Sequence, residues 1–305
     1  MHEPKIAFVG TGGAARGIAH LGVLKACEEF GIKPDIFVGA SAGAIVAATY
    51  GQGIPLDVLI DGFRSPWRRR HNGPRFHGLT LAGPPRARDF LDPGYLLSGL
   101  YSIDGFERYL ARHIPTNDFE KVRAQLLITA VDIDRAERVV FGRGYDSRTP
   151  ISQAVAASCC VPGLFRPYEI DGRYHVDGEI ARTLSADIAV AVGADIVIIS
   201  NIYRPTKKST RSIARLTAAK VMTQSLNIML TEKEKRGLDL YSRVHPNTTF
   251  IDIAPNIGMF DYLNRFAARA LLMRGYRAAF RALGEARRKG VFDKRVSAPP
   301  RVAAQ

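Results

Sequence analysis

The segment Asp35-Ile-Phe-Val-Gly39-Ala-Ser41-Ala-Gly43 decides the fold, because an apolar run leads directly into a G-x-S-x-G sequence. Asp35–Gly39 has the length and apolar character of a buried strand, and Ala42–Tyr50 continues as a helix of small residues. This arrangement is typical of a nucleophile elbow, a sharp turn that exposes a serine hydroxyl. It predicts Ser41 as a nucleophile, with Gly39 and Gly43 permitting close packing around it. The alternative is a small-residue turn with an idle serine.

The remainder of the chain repeats strand and helix signals. Strands are predicted at Lys5–Gly10, Gln125–Asp132, Val139–Phe141 and Asp195–Ser200, and helices at Ile18–Phe30, Ile151–Ser158 and Ser185–Val192. Alternation of this kind favours an α/β fold in which a mainly parallel sheet is sandwiched by helices.

Composition limits the environment and the partners. The 305 residues include 43 Lys and Arg against 29 Asp and Glu, a net charge of +14, which favours anionic partners. Three cysteines exclude a disulfide framework and suit a reducing compartment. We find no secretory signal, and the most apolar stretch, Ala186–Ser200, contains two aspartates and is too short to span a bilayer. We expect a cytoplasmic protein that touches a membrane only at its periphery.

Two segments differ from the core in composition. Seven arginines, four prolines and no acidic residue lie between Gly62 and Arg88, so we expect an inserted basic loop or lid over residues 62–100. Trp67 precedes three arginines in this loop, which is compatible with transient docking on an anionic bilayer. Residues 286–305 form a basic tail that we expect to be frayed, which leaves 1–285 as one domain.

A glycine-rich segment, Gly10-Thr-Gly12-Gly13-Ala14-Ala-Arg16-Gly17, follows the first predicted strand. Such backbone offers several N–H groups to an anion. A dinucleotide site would need an acid at the end of the second strand, where Ser41 stands, and a Walker loop would need a Gly-Lys-Ser/Thr. The remaining interpretation is an oxyanion hole facing Ser41, with N–H groups of Gly12, Gly13 and Ala14 and the charge of Arg16.

A serine nucleophile also needs a base. The histidines after Ser41 carry no signature of their own; they are His71, His77, His113, His175 and His245. Asp177 is the stronger candidate because it stands where the strand Tyr174–Asp177 runs into a glycine turn at Gly178, although a plain Asp-Gly turn is the alternative. A Ser-Asp-His esterase that uses His245 stays open at this point.

Taken in order, these segments resemble the patatin-like phospholipases, serine acyl hydrolases with a Ser-Asp dyad. The family's glycine-rich motif matches Gly12–Gly17, its G-x-S-x-G matches Gly39–Gly43, and its Asp-Gly-Gly/Ala motif matches Asp177–Glu179. The segment from Ala157 to Phe165 resembles the family's approach to the aspartate, and the likeness extends from about residue 5 to residue 200. Phe260–Ala279 resembles the family's last helix more faintly.

The resemblance implies a three-layer α/β/α architecture and a lipid acyl hydrolase that cleaves fatty-acyl esters. Ser41 would attack the ester and Asp177 would take its proton, through an acyl-enzyme and with no metal or cofactor. Ala14 and Glu179 depart from the family pattern, which has glycine at the first position and a small residue at the second. The alternative is therefore a catalytically impaired relative that binds anionic lipid or another anionic partner. We expect no nucleic-acid partner, and the sequence specifies neither the acyl chain, the head group nor the oligomeric state.

Overall fold

The structure is a computed structural model that describes residues 3–62, 74, 83, 94, 98–181, 184–202, 218–257 and 268–293. Most of the predicted basic loop at 62–100, including Trp67, lies outside the described residues, and so do residues 294–305 of the predicted tail.

The described strands are β1 (Ile6–Gly10), β2 (Ile36–Gly39), β3 (Gly99–Tyr101), β4 (Gln125–Asp132), β5 (Glu137–Gly142), β6 (Gly163–Phe165), β7 (Tyr168–Ile170), β8 (Arg173–Asp177), β9 (Ile196–Ser200) and β10 (Thr249–Ile253). Eight of them form one sheet in the order β10-β9-β1-β2-β4-β8-β7, with β5 also on β4, while β3 and β6 pair separately. The strands from β10 to β4 are parallel, and β5, β8 and β7 add antiparallel pairs.

The helices are α1 (Ile18–Glu29), α2 (Ala42–Tyr50), α3 (Leu56–Asp61), α4 (Asp104–His113), α5 (Ile151–Ser158), α6 (Ala186–Ala191), α7 (Ala218–Val244) and α8 (Ala268–Arg288). Neighbouring residues of one strand enter two separate cores, as alternation along a strand requires. Phe8 packs into the larger core with α1 and α8, and Val9 into the smaller one with α6 and Tyr241 of α7. Helices therefore cover both faces, which confirms the predicted α/β class with three layers.

The final helix occupies part of the segment in which an apolar helical ending was predicted at Phe260–Ala279. It begins at Ala268 and continues to Arg288, slightly past the predicted domain limit at 285, while residues 258–267 lie outside the described ranges.

Strand β4 positions the two halves of the candidate site. One of its edges pairs with β5 through Leu127–Asp132, so β2 and β8 must share the other edge. There β2 ends with Gly39 opposite Ile128, and the antiparallel β8 ends with Asp177 opposite Ala130. The carboxyl ends of β2 and β8 thus point at each other across two residues of β4, about 7 Å.

Candidate active site

The elbow, defined as Gly39–Gly43, holds Ser41 in a conformation unusual for a residue with a side chain. Its φ and ψ are 51° and −119°, and it stands at the amino end of α2. A Cβ atom on Gly43 would lie 2.0 Å from the carbonyl oxygen of Gly10, and one on Gly39 would lie 2.5 Å from that of Gly43. Both positions must therefore be glycine, as predicted, because a Cβ atom at either one would collide with neighbouring backbone. The strained turn is fixed by its surroundings, as is usual where strain serves a site.

A second serine supports the elbow from α5. The Ser41 N–H donates to the Ser158 hydroxyl oxygen at 2.8 Å, and Ser158 is fully buried. Ser158 ends the predicted helix Ile151–Ser158 and belongs to the segment that resembles the family's approach to the aspartate. Its contact with Ser41 was not foreseen.

Asp177 lies beside Ser41, as the register of β4 requires. The Glu179 N–H donates to Asp177 Oδ1 at 3.0 Å, and the Ser41 side chain lies close enough to the Asp177 carboxylate to lower its pKa. Burial outweighs these two effects and raises the pKa of Asp177 to about 6. The site thus contains a buried carboxylate that is ionised at neutral pH and contacts a serine hydroxyl.

The histidines described by the structure do not complete a triad. Among the described residues, no histidine ring hydrogen bonds to Ser41 or Asp177. His245 precedes β10, at the amino end of a strand that is parallel to β9 and β1, whereas Ser41 follows the carboxyl end of β2. His245 therefore lies at the amino ends of the parallel strands, and Ser41 lies at their carboxyl ends. His71 and His77 lie outside the described ranges.

The glycine loop, defined as Gly10–Gly17, packs against the elbow. The Gly12 N–H donates to Glu179 Oε1 at 2.7 Å, so this predicted oxyanion donor already has a partner. Gly13 and Ala14 have no N–H partner among the described residues. The Arg16 Nε–H donates to the Gly13 carbonyl oxygen at 3.3 Å, which orders the loop.

Ala14 stands where the family pattern has glycine, and it adopts a backbone conformation that favours glycine. Its φ is 49°, in the left-handed region that disfavours a Cβ atom. Its backbone can still donate a hydrogen bond, because the substitution changes only the side chain.

His20 connects the glycine loop to the end of β9. Its Nε2 lies 2.8 Å from the Thr11 carbonyl oxygen and its Nδ1 2.6 Å from the Ser200 hydroxyl. Because a carbonyl can only accept, we assign the proton to Nε2, with Ser200 donating to Nδ1. Burial lowers the pKa of His20 to about 4, so the ring is neutral at pH 7. His20 lies in the predicted helix Ile18–Phe30, and its connection to the glycine loop is a finding of the structure.

Exposed apolar side chains lie along the segments that carry the site. Leu100 and Leu164 are adjacent in the β3–β6 pair and are 70% and 42% exposed. Val161 follows Cys160, whose carbonyl accepts the Asp177 N–H, and Ile180 follows Glu179; both are exposed. These four exposed apolar side chains, Leu100, Val161, Leu164 and Ile180, are called the apolar rim; they lie on the β3–β6 pair and directly after Cys160 and Glu179.

Among the described residues, no group of three or more His, Cys, Asp or Glu side chains could hold a metal ion. Within the same part of the chain, no helix has the length and apolarity needed to cross a membrane.

Comparison with known proteins gives a consistent family. Residues 9–190 match the family model described as patatin-like phospholipase. An uncharacterized NTE family protein of Mycobacterium bovis is 29% identical over 196 residues, which are 64% of this chain and 48% of that protein. Patatin-like phospholipase domain-containing protein 6 of Mus musculus is 29% identical over 196 residues, 63% of this chain and 13% of that protein.

The chain thus spans about half the length of the bacterial relative and a smaller part of the mouse protein. Among solved structures, the crystal structure of VipD from Legionella pneumophila covers 93% of this chain and 67% of that chain at 16% sequence identity, with a TM-score of 0.47.

Proposed function

The chain belongs to the patatin-like phospholipase family, and from this premise we propose that it is a lipid acyl hydrolase that works through a Ser41–Asp177 dyad. One observation carries the proposal: the Ser41 side chain, on a strained elbow, lies beside a buried carboxylate whose pKa it lowers. A hydroxyl and a base in contact are the minimum that nucleophilic acyl transfer requires.

In the first step the Ser41 oxygen attacks the ester carbonyl while its proton passes to Asp177. A base must be ionised to accept a proton, and burial sets the pKa of Asp177 near 6. Activity should therefore rise as pH increases through about 6, as Asp177 loses its proton. The protonated Asp177 then gives this proton to the departing alkoxide. The acyl group remains bound to Ser41.

The negative charge on the carbonyl oxygen needs donors during this attack. The N–H groups of Gly13 and Ala14, without partners among the described residues, are suited to it. Arg16 contributes by fixing the Gly13 carbonyl. Water completes the cycle: Asp177 takes its proton, the hydroxide adds to the acyl carbon, and the bond to Ser41 breaks as the serine regains a proton.

The apolar rim supports an acyl-chain substrate. Exposed leucine, valine and isoleucine side chains on segments that continue from Cys160 and Glu179, or pair next to them, suit a ligand with a reactive ester and a hydrocarbon tail. The net charge of +14 further suits an anionic head group or membrane surface at the cytoplasmic face. Binding to phosphatidylglycerol vesicles should weaken when the arginines at positions 68–70 are replaced by glutamine.

Hydrolysis by matched variants tests the function. A short-chain p-nitrophenyl ester and a mixed phospholipid panel would be offered to wild type, Ser41→Ala and Asp177→Asn. The controls are Ser242→Ala and Asp239→Asn, which change exposed residues of α7. We expect both site variants to lose at least about a hundredfold in rate, since general bases contribute that much or more. Equal rates in Ser41→Ala and wild type would refute the proposal.

A second candidate is a catalytically impaired relative that binds anionic lipid. This candidate is favoured by the hydrogen bond from the Gly12 N–H to the Glu179 carboxyl group, because it occupies one of the N–H groups expected to hold the oxyanion. A fluorophosphonate probe separates the two candidates: a catalyst labels at Ser41, whereas an inactive binding protein stays unlabelled but sediments with anionic vesicles.

A further inference from the structure

Glu179 and His20 hold the two ends of one peptide group in the glycine loop. His20 donates to the Thr11 carbonyl at 2.8 Å, and the Gly12 N–H donates to Glu179 Oε1 at 2.7 Å. The carbonyl of Thr11 and the N–H of Gly12 belong to the same planar peptide unit. Contacts at both ends therefore fix the orientation of this unit.

The same peptide lies between Glu179 and the nucleophile. A Cβ atom on Gly12 would be 2.7 Å from Cγ of Glu179 and 3.2 Å from Cβ of Ser41. Glycine at this position therefore lets the carboxyl group and the serine approach the loop together. A charge on Glu179 therefore acts at short range on the oxyanion that forms when Ser41 attacks the ester.

The charges that face Glu179 come from two other elements. Asp177 of β8 lies two residues away, and Glu234 and Lys233 belong to α7. Lys233 also donates to the carbonyl oxygens of Ile180 and Ala181, which ties α7 to the segment after Glu179. Glu179 Oε2 is buried and has no hydrogen-bond partner among the described residues.

These surroundings oppose ionisation of Glu179. Burial, and next the charge of Asp177, raises its pKa to about 8, with a smaller increase from Glu234 and opposing effects of the Gly12 N–H and Lys233. Asp177 ionises first, near pH 6. The interval between these two values is the range in which Asp177 is ionised and Glu179 is neutral.

We propose that Glu179 is a positioning residue that sets the alkaline limit of the reaction: it holds the Gly12 N–H and, once ionised, adds a second negative charge beside Asp177 and the oxyanion. This inference rests on the proposed function. The neutral carboxyl group orders the loop without opposing the charge that develops at the substrate oxygen. The ionised group both binds Gly12 more strongly and repels that oxygen.

The pH dependence of kcat/KM tests the inference. Wild type should rise through about pH 6 and fall above about pH 8, with roughly a tenfold loss between pH 7 and 9 for a single ionisation. Glu179→Gln keeps an oxygen for the Gly12 N–H but cannot ionise, so the loss above pH 8 should disappear. The control Glu137→Gln, at an exposed position of β5, should keep the wild-type profile. The inference would be overturned if kcat/KM of Glu179→Gln still fell above pH 8. It would also be overturned if Glu179→Gln were slower than wild type by the same factor at every pH.

A readout that needs no turnover separates this failure from failure of the proposed function. The ¹H–¹⁵N resonance of Gly12 should shift with pH around 8 in wild type and not in Glu179→Gln. A Gly12 resonance that titrates equally in both proteins, or in neither, would exclude the contact even if hydrolysis depends on Ser41. If the resonance titrates as expected while Ser41→Ala hydrolyses at the wild-type rate, the contact stands, and both the proposed function and the alkaline limit built on it fall.

Discussion

Two glycine-containing segments meet at the Ser41 hydroxyl, and different kinds of contact hold them. The elbow (Gly39–Gly43) is held by close backbone packing, because Gly39 and Gly43 leave no room for a Cβ atom, and by the neutral Ser158 hydroxyl. The glycine loop (Gly10–Gly17) is held by two titratable side chains, His20, nine residues after Thr11, and Glu179, 167 residues after Gly12. The elbow is therefore insensitive to pH and intolerant of substitution, whereas the loop depends on two titratable groups.

The largest effect is expected where backbone meets backbone. In Gly43→Ala the new Cβ atom would lie 2.0 Å from the Gly10 carbonyl oxygen, so the elbow and the glycine loop must separate. We expect a loss of about 3 kcal/mol in the free energy of unfolding, measured with urea. Gly105→Ala is the matched control, because nothing lies within 4 Å of its Cβ position in α4. Equal stability of the two variants would mean that the packing of the elbow is looser than described.

The next effect distinguishes the loop by its pH dependence. In His20→Leu the Thr11 carbonyl and the Ser200 hydroxyl lose their partner, which should cost about 2 kcal/mol at pH 7. Because burial lowers the pKa of His20 from 6.5 to about 4, the unfolded chain binds a proton between these values and the folded protein does not. Wild type should therefore lose about 3 kcal/mol as pH falls through this window.

The variant cannot bind this proton in either state, so its stability should fall less over the same range. Urea unfolding of both proteins at several pH values between 7 and 4 measures the difference. Parallel stability curves for wild type and His20→Leu would contradict the neutral, buried state of His20.

The smallest effect concerns strain in the loop. Ala14→Gly removes a Cβ atom from a residue with φ of 49°, which relieves strain in the folded protein. Glycine also gives the unfolded chain more entropy, and we expect a net gain of about 0.5 kcal/mol in the free energy of unfolding. Ala136→Gly is the control, since Ala136 has φ of 54° in the exposed turn between β4 and β5. Both variants should gain stability, and only Ala14→Gly should change the rate of Ser41 labelling. A labelling change in Ala136→Gly would show that the effect is not local.

The elbow could be predicted from the sequence because its determinants are adjacent in the chain. An apolar strand, two glycines around Ser41 and a small-residue helix lie within one short segment, and the structure confirms the strand and the helix there. The predicted sheet class is also confirmed, since apolar runs at β1, β2 and β9 form its parallel centre. The catalytic roles of Ser41 and Asp177 remain predictions that the geometry supports.

The supports of the glycine loop could not be predicted in the same way. Glu179 reaches Gly12 across 167 positions of sequence, and His20 reaches Ser200 across 180. These contacts follow from the pairing of β8 with β4 and of β9 with β1, which no local pattern encodes. Glu179 could be recognised as a departure at the third motif, but its partner became apparent only once β8 was placed.

The rate at which a fluorophosphonate probe labels Ser41 tests the central claim most directly, because it reports activation of the nucleophile without requiring the true substrate. The comparison is wild type against Asp177→Asn, with folding checked by circular dichroism and the labelled residue identified by peptide mass. If Asp177 is the base, Asp177→Asn should label at least about a hundredfold more slowly at pH 7. Labelling of Ser41 at the wild-type rate in a folded Asp177→Asn protein would contradict the dyad.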